Sequence, residues 1–585
     1  MKETWPNPAQ LKKPAFWESL QVPGLSHIGR GLKDVTPRIP KKAQALEVKI
    51  RSQSVWVVFV GGTGTGKSTL YNAFCRAQVS QTGVERPKTL GAVVYAHTQA
   101  QVGHHLPGFL HPVHRVELDR GSVGHSGQIR GVTLLEHSDP DLKSLVLVDT
   151  PDLDSLITAH QELAQDILLL ADVLVFVASQ EKYADDVLYK ALISFGQSGT
   201  DLYFVLNKAD IPPGMEIDGL LKEVRDALDP EHIFLHDQRC VALPFVPAGE
   251  SPAGNTTVQQ FVASVLSFYA SGPGEKRRRA DLDQAWRSLQ ADLSQVVKIL
   301  DAEREAFVTW EGRLQVLFEE CVQSLLQREE AQFQLGQRRA VQEEIRNVFG
   351  RFDFLAGPRR IIGGCLHLPL RLLGLMDFRR SREEDLEKAK GKGDSQPVQE
   401  AVDELNARII DGLMPENRDS CAARVLRRPD LIMSAHEVHS RFQAVQDELA
   451  AWLNSRFEQM AREAPRGKAW GIYSTSALWG VLIVSFETVV GGGLSLVEIA
   501  VDSAIAPYVT KGAVELFAYQ ELRVITCELS AKLEEGIVAI VGEQKDRYIQ
   551  AIQELGPDEQ VVSAIREWAN WPEQKALEIL GIEGG

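Results

Sequence analysis

The stretch Gly61-Gly62-Thr63-Gly64-Thr65-Gly66-Lys67-Ser68 constrains this chain more than any other, because it follows directly on the apolar run Val55-Trp56-Val57-Val58-Phe59-Val60. A buried strand, a glycine turn and a helix beginning at Ser68-Thr69-Leu70 form the setting in which the pattern G-x-x-x-x-G-K-[ST] binds phosphate. Glycines let backbone N–H groups converge on phosphate oxygens, and the start of a helix adds a field that favours anions. In that arrangement Lys67 neutralises the outer phosphates of a nucleotide, and the Ser68 hydroxyl is a ligand for Mg2+. The segment from Gly61 to Thr69 is the expected phosphate cradle.

Two further strand-like runs end in polar residues. Ser144-Leu145-Val146-Leu147-Val148 leads into Asp149-Thr150-Pro151-Asp152. Asp149 therefore stands at a strand end, suited to hold the hydration shell of Mg2+. Asp201 to Leu206 leads into Asn207-Lys208-Ala209-Asp210. A carboxylate at Asp210 accepts hydrogen bonds from N1–H and the exocyclic amine of guanine. Adenine would leave it unpaired, which is costly in a desolvated pocket. Asn207 is expected to brace the loop, and the Lys208 stem to lie along the base plane. The nucleotide read from these residues is GTP, with Mg2+ as the cofactor.

The three elements, in this order, resemble the P-loop GTPases, a class that includes translation-factor-like, Era/TrmE-like and dynamin-like branches. Lys67-Ser68-Thr69-Leu70-Tyr71-Asn72-Ala73-Phe74 is similar in particular to the Era/TrmE and dynamin-like members. The resemblance covers residues 53 to 270 and implies a GTP hydrolase. Arg86-Pro87-Lys88-Thr89 resembles the Arg-Pro switch of dynamin-like proteins, which makes Thr89 the threonine that closes over Mg2+, with Thr82 the second choice. The implied catalytic set is Lys67, Thr89 and Asp149, and the implied metal set Ser68, Thr89 and Asp149. The last guanine loop is expected at Pro247-Ala248-Gly249.

The sequence also departs from that class. Asp152 stands where the family carries a glycine whose N–H meets the γ-phosphate, and a carboxylate there is repelled by phosphate unless it turns away. Leu153 takes the place of the glutamine of Ras-like proteins. Gly64 occupies the position of an Asn or Ser that holds a monovalent cation in many relatives, which argues against potassium-assisted catalysis. Slow intrinsic hydrolysis, stimulated by self-association, is the expectation.

At 585 residues the chain should hold roughly two to four domains. A net charge of −16 argues against wholesale nucleic-acid binding, so nucleic acid is not an expected partner. Six cysteines lie scattered without paired spacing and read as reduced thiols of a cytoplasmic protein. The amino terminus lacks an apolar run, so no secretory signal is expected. Residues 1–52 read as an irregular arm ending in a short helix, Lys41 to Arg51. Residues 53–272 read as the GTPase domain. Strand-like runs near 91–97, 131–136, 144–148, 172–178, 201–206 and 241–246 alternate with helical stretches, as in a mostly parallel sheet with helices on both faces.

After residue 275 the pattern is helical to the end, giving a stalk domain over 275–585. From Asp281 to about Phe349 no proline occurs. Leu282, Trp286, Leu289, Leu293, Val296, Leu300, Phe307, Trp310, Leu314, Leu317 and Cys321 recur at near-heptad spacing there, which predicts a long helix with one apolar seam. Amphipathic helices are predicted at 397–413, 434–463 and 511–553, with a flexible linker over Lys388 to Val398. Two apolar segments interrupt the amphipathic pattern, 359–380 and 470–514. In the first, Arg pairs flank an apolar run broken by Pro369, Arg371 and Asp377. It reads either as an interfacial segment at anionic lipid or as a buried hairpin. In the second, Glu487, Glu498 and Asp502 would be expensive in lipid. Monotopic insertion and a soluble core both fit it, and two full spans come third.

A GTPase domain, a helical stalk and apolar hairpins together resemble bacterial dynamin-like proteins and membrane-associated Era-like GTPases. The resemblance implies coupling of nucleotide state to membrane association or remodelling through self-association, with the protein peripheral or monotopic at the inner face of a membrane. The alternative is an Era-like regulatory switch acting on a ribosome, RNA or protein partner.

Overall fold

The computed structural model describes residues 7–80, 91–117, 131–153, 158–179, 200–209, 219, 221–222, 225–226, 239–244, 255–269, 274–332, 335–351, 382–390, 393–463, 472–491, 497–510 and 516–582. They divide into two compact units. The first comprises residues 1–21, 30–301 and 557–585, the second residues 22–29 and 302–556.

The first unit is built on β1 (Val55–Gly61), whose residues are all buried. Its side chains alternate between two cores. Trp56, Val58 and Val60 pack on one face of the sheet with Ala45 and Val48, and Val55, Val57 and Phe59 pack on the other with Leu70, Tyr71 and Phe74. Period-two alternation with both faces apolar is the signature of a sheet covered by helices on both sides. The other strands are β2 (Ala92–His97), β3 (Val113–Glu117), β4 (Val132–His137), β5 (Leu145–Asp149), β6 (Val173–Ser179), β7 (Asp201–Asn207) and β8 (Cys240–Ala242). Their order is β3-β4-β2-β5-β1-β6-β7-β8, and every neighbouring pair is parallel except β2 with β5. This is the mostly parallel α/β layer expected from the sequence. β3 was not foreseen. Its residues, Val-His-Arg-Val-Glu, form no apolar run, as befits a strand at the edge of the sheet.

The helix expected at Lys41 to Arg51 is present as Arg38–Arg51, but the described residues before it, from residue 7, are not the irregular arm expected. They contain helices Pro14–Ser19 and Leu32–Val35, and they bury Leu11 and Trp17. The reason lies at the far end of the chain. Helix Glu559–Ala569 presents Val562, Ile565 and Trp568 on one face, and Trp568 meets Phe16 and Trp17 at ring separations of 5.7 and 6.1 Å. Helix Glu573–Ile582 packs against Arg38–Arg51, and Arg566 pairs with Asp301. The expected boundary at residue 275 therefore differs from the compact units. Residues through Asp301 and from Pro557 onward lie in the unit that contains the sheet.

A polar cluster fastens the start of helix Glu275–Gln332 to the base of the sheet. Asp172, just before β6, accepts from Trp56 N at 2.9 Å and pairs with Lys49 at 2.5 Å. Asp201 accepts from the Tyr269 hydroxyl at 2.8 Å, and pairs with Arg239 at 2.7 Å and with Arg277. Asp281 lies beside these groups. Burial and the nearby Asp172 carboxylate push it up to about 6, against the pull of Arg277 and Lys49.

The second unit is helical. Glu303 accepts from Gly24 N, Leu25 N, Ser26 N and the Ser26 hydroxyl at 2.6–3.0 Å, which explains why residues 22–29 belong here. The predicted long helix is realised as Glu275–Gln332 and Leu335–Arg351. Its seam is core: Trp286, Leu289, Leu293, Val296, Leu300, Trp310, Leu314 and Cys321 are all buried. Helices Gln396–Gly412, Ala435–Glu463 and Leu516–Gln553 follow the predicted amphipathic stretches. The expected linker over 388–398 is shorter than foreseen, because residues 382–390 are helical and the next helix starts at Gln396.

The segment 470–514 supplies helices Ile472–Val490 and Val497–Thr510. Leu478, Trp479, Leu482 and Phe486 of the first, and Val501, Ala504 and Ile505 of the second, are buried against Leu335–Arg351 and Leu516–Gln553. Asp502 is accommodated by the Tyr519 hydroxyl at 3.1 Å and by Arg523 at 3.6 Å. Among the described residues, no helix is long and apolar enough to cross a membrane. The segment 359–380 lies outside the described residues.

The raised carboxyl of Asp281 gives a signed prediction. Between the ordinary carboxylate value and about 6, the folded chain holds a proton there that the unfolded chain has released, so stability contributed by this site is lost as pH rises through that window. Asp281→Asn should flatten this part of the stability profile and gain about 1–3 kcal/mol near neutral pH. Urea titrations from acid to neutral pH check it, and an unchanged profile contradicts it.

Candidate functional site

β1 ends at Gly61 in the middle of the sheet, and the chain turns through Gly62-Thr63-Gly64-Thr65-Gly66 into helix Lys67–Cys75. Thr65 closes this loop on itself, its hydroxyl and its N–H both donating to Gly62 O, at 2.9 and 3.3 Å. Gly66 precedes the helix with φ +89°, and a Cβ there would lie 2.2 Å from Asn207 Nδ2. Gly61 is excluded from carrying a side chain for a different reason: its Cβ would lie 2.3 Å from Val177 O on β6. Both positions demand glycine. Ser68 and Thr69 are half-buried in the first helical turn, whose N–H groups precede the first intrahelical bond, from Leu70 N to Gly66 O.

Register then brings in Asp149. It ends β5 and pairs across from Phe59 of β1, so it lands beside the loop. Thr150 fixes this junction through its hydroxyl and its N–H, both to Phe59 O, and Leu153 N bonds to Gly61 O at 3.2 Å. Asp149 is wholly buried and Lys67 is 3% exposed. Lys67 Nζ donates to Asp149 Oδ1 at 2.6 Å and to Thr150 O. The other oxygen of Asp149 accepts from the Ser80 hydroxyl at 2.7 Å. Asp152 does not turn away from the loop: its carboxylate lies 3.9 Å from Lys67 Nζ. The loop lysine thus faces two carboxylates.

The end of β7 reaches over the same loop. Asn207 Nδ2 donates to Thr65 O at 2.9 Å. Lys208 adopts φ +59°, unusual for a side chain of this size, and its Nζ donates to Gly64 O at 2.8 Å. The structure therefore gathers Gly61 to Thr69, Asp149, Asn207 and Lys208 at one edge of the sheet. Thr82, Thr89, Asp210 and the loop Pro247-Ala248-Gly249 lie outside the described residues.

Two residues joined to this site were not singled out from the sequence. Ser80 is one. The other is Asn72, which is buried and whose side chain holds the chain on either side of Ser80. Asn72 Oδ1 accepts from Val79 N and Ser80 N at 3.0 and 2.8 Å, and its Nδ2 donates to Ser80 O at 2.8 Å and to Gln78 Oε1 at 3.1 Å. A buried polar residue on the apolar side of the helix that starts at Lys67 is the signal that would have found it.

The arrangement can cradle an anion on backbone N–H groups, with a lysine beneath and a carboxylate beside it. Residues 56–208 match the family described as 50S ribosome-binding GTPase. This stretch is a P-loop GTPase domain, as its motifs implied. A curated relative, the uncharacterised protein in the xynA 3′ region of Caldicellulosiruptor sp. (strain Rt8B.4), is 25% identical over 189 residues. The match spans 31% of this chain and 47% of that relative, so the chain covers about half of the relative's length. Two solved chains from an oligomerised bacterial dynamin pair, described as sensing and tethering membranes, cover 92% and 95% of this chain at 13% and 14% identity. In turn 79% and 80% of those chains are covered, each with a TM-score of 0.28, at which the likeness carries no argument.

The crowding at Gly66 yields a prediction. Gly66→Ala must shift Asn207 and hold an alanine at φ +89°, and should cost about 1–3 kcal/mol in chemical denaturation. Gly66→Ala combined with Asn207→Ala should recover part of that loss. No recovery would mean that backbone strain alone is responsible.

Proposed function

We propose that the chain binds GTP and hydrolyses it to GDP and phosphate at the loop Gly61–Thr69. The observation that carries this reading is the buried Lys67, held at the base of a glycine cradle beside a strand-end carboxylate and bridged by Asn207 and Lys208. Backbone N–H groups of the loop and the first helical turn bind the phosphates, and Lys67 exchanges Asp149 for the outer phosphate oxygens. Asp210 selects guanine through its two acceptor oxygens. Thr89 is the switch threonine of the reading.

The residues present fit Mg2+. Ser68 and Asp149 are hard oxygen donors, one in the first turn of the helix that follows the glycine loop and the other at the end of β5 beside it. Among the described residues, no group of three or more His, Cys, Asp or Glu is placed to hold a metal ion. Mg2+ is commonly held by one or two protein groups together with substrate phosphates and waters. When bound, Mg2+ neutralises charge on the phosphates. The protein's own part is to position the triphosphate and to supply fixed dipoles where negative charge develops. Asp152, so near Lys67, opposes that charge, in keeping with slow intrinsic turnover.

The base reading has a test that leaves the fold untouched. Asp210→Asn exchanges one acceptor for a donor, which suits xanthine, whose C2 carries an oxygen where guanine has an amine. Calorimetry should show the parent preferring GTP over ATP and Asp210→Asn preferring the xanthine nucleotide by roughly tenfold or more. Equal binding of GTP and ATP by the parent would remove the guanine reading.

For the chain as a whole, the proposal is that nucleotide state governs peripheral association with a membrane, through self-association of the helical unit. Support comes from the basic-flanked apolar segment 359–380. The segment 470–514 does not add to it, since its described helices are core. The description of the matched family favours a second reading, a regulatory switch at a ribosome. Flotation with anionic liposomes, with and without a non-hydrolysable GTP analogue, separates them. Lipid binding that depends on the analogue supports the first, and absence of binding in every nucleotide state leaves the second.

A further inference from the structure

Both oxygens of Asp149 are already engaged. The residue is wholly buried, and each of its oxygens is bonded within the chain, Oδ1 to Lys67 Nζ at 2.6 Å and Oδ2 to Ser80 Oγ at 2.7 Å. A buried carboxylate that loses one of these partners bears an uncompensated desolvation cost. Lys67 is the partner that a nucleotide takes away, because its ammonium is drawn to the phosphates that occupy the loop. Ser80 is the partner that stays. Its backbone is fixed independently, through Asn72, at Ser80 N, Ser80 O and the neighbouring Val79 N. The hydroxyl is thus not needed to shape residues 78–80, and it is aimed at Asp149, the carboxylate that Lys67 also holds.

We propose that Ser80 is a positioning residue for Asp149: its hydroxyl holds the carboxylate in place when Lys67 leaves for the phosphates, and so sets how firmly Mg2+ retains the bound nucleotide. The inference rests on the guanine-nucleotide reading given above and adds to it a residue that no motif in the sequence marks. It ties Asp149 to the end of the chain segment that leads toward Thr82 and Thr89. Without the hydroxyl, Oδ2 of Asp149 loses its partner at a buried position. The carboxylate then rotates toward whatever donor remains, and the orientation of Oδ1 is no longer fixed.

The test is the release of a fluorescent GDP analogue from the full chain, measured by stopped flow in excess Mg2+ and again in excess EDTA. In the parent, Mg2+ should slow release. In Ser80→Ala the ratio of the two rates should shrink by roughly tenfold, the scale of one hydrogen bond to a charged group. Ser80→Thr, which keeps the hydroxyl, should restore the ratio. Ser80→Cys, close in size but a weak donor, should fall between them, which keeps the test decisive if Ser80→Ala is poorly folded. A ratio in Ser80→Ala and Ser80→Cys equal to that of the parent overturns the proposal. So does a change of both rates by one common factor, which would make Ser80 a structural residue of its loop. A parent that binds no guanine nucleotide overturns the functional reading itself, a result distinct from any behaviour of Ser80.

Discussion

Everything at the candidate site depends on the parallel pairing of β1 with its two neighbours. With β5 on one side and β6 on the other, seven consecutive buried residues lock β1 at the centre of the sheet. Parallel strands end on the same edge, so the glycine loop after β1, Asp149 at the end of β5 and Asn207-Lys208 at the end of β7 are delivered to one place. The pairing of Phe59 with Asp149 sets the depth at which the carboxylate stands relative to the loop. A one-residue slip would turn every side chain of β1 to the opposite core.

The charge arrangement built on this register is closed. Lys67 and Asp149 neutralise each other in a setting with almost no solvent, where an isolated charge of either sign would be costly. Asn207 and Lys208 seal the loop from above by bonding to Thr65 O and Gly64 O. Any anion that draws Lys67 from Asp149 replaces a bond within a set that joins the glycine loop and its helix to the ends of β5 and β7. Ser80, fixed by Asn72, belongs to that closed set although it lies on none of them.

Much of this was legible in the sequence because it depends on local rules. The run 55–60 followed by glycines could only be a strand and a tight turn, and the three polar strand ends announced a nucleotide site. The seam from Trp286 to Cys321 likewise announced its burial by spacing alone. Other features were hidden because they depend on contacts distant in the chain. Nothing near Trp17 foretells that Trp568 will cover it, so residues 1–40 read as an irregular arm. Nothing near Glu303 foretells that it will bind three N–H groups of residues 24–26. The helices of 470–514 were ambiguous for a related reason. An apolar helix has the same composition whether lipid or other helices cover it, and only the packing of Phe486 and Ile505 against their neighbours decides.

The amino-acid sequence by itself determined the apolar strands of the sheet, though not its edge strand β3, together with the glycine cradle and the types of group at the site, since each follows from periodicity, backbone freedom or side-chain chemistry over a few residues. Tertiary structure alone decided which groups face each other. It placed both carboxylates at Lys67, brought Ser80 to Asp149, and returned residues 557–582 to the unit that contains the sheet. The physical reason is that partner choice is set by register and packing across long stretches of chain, and neither leaves a mark on the residues next in line.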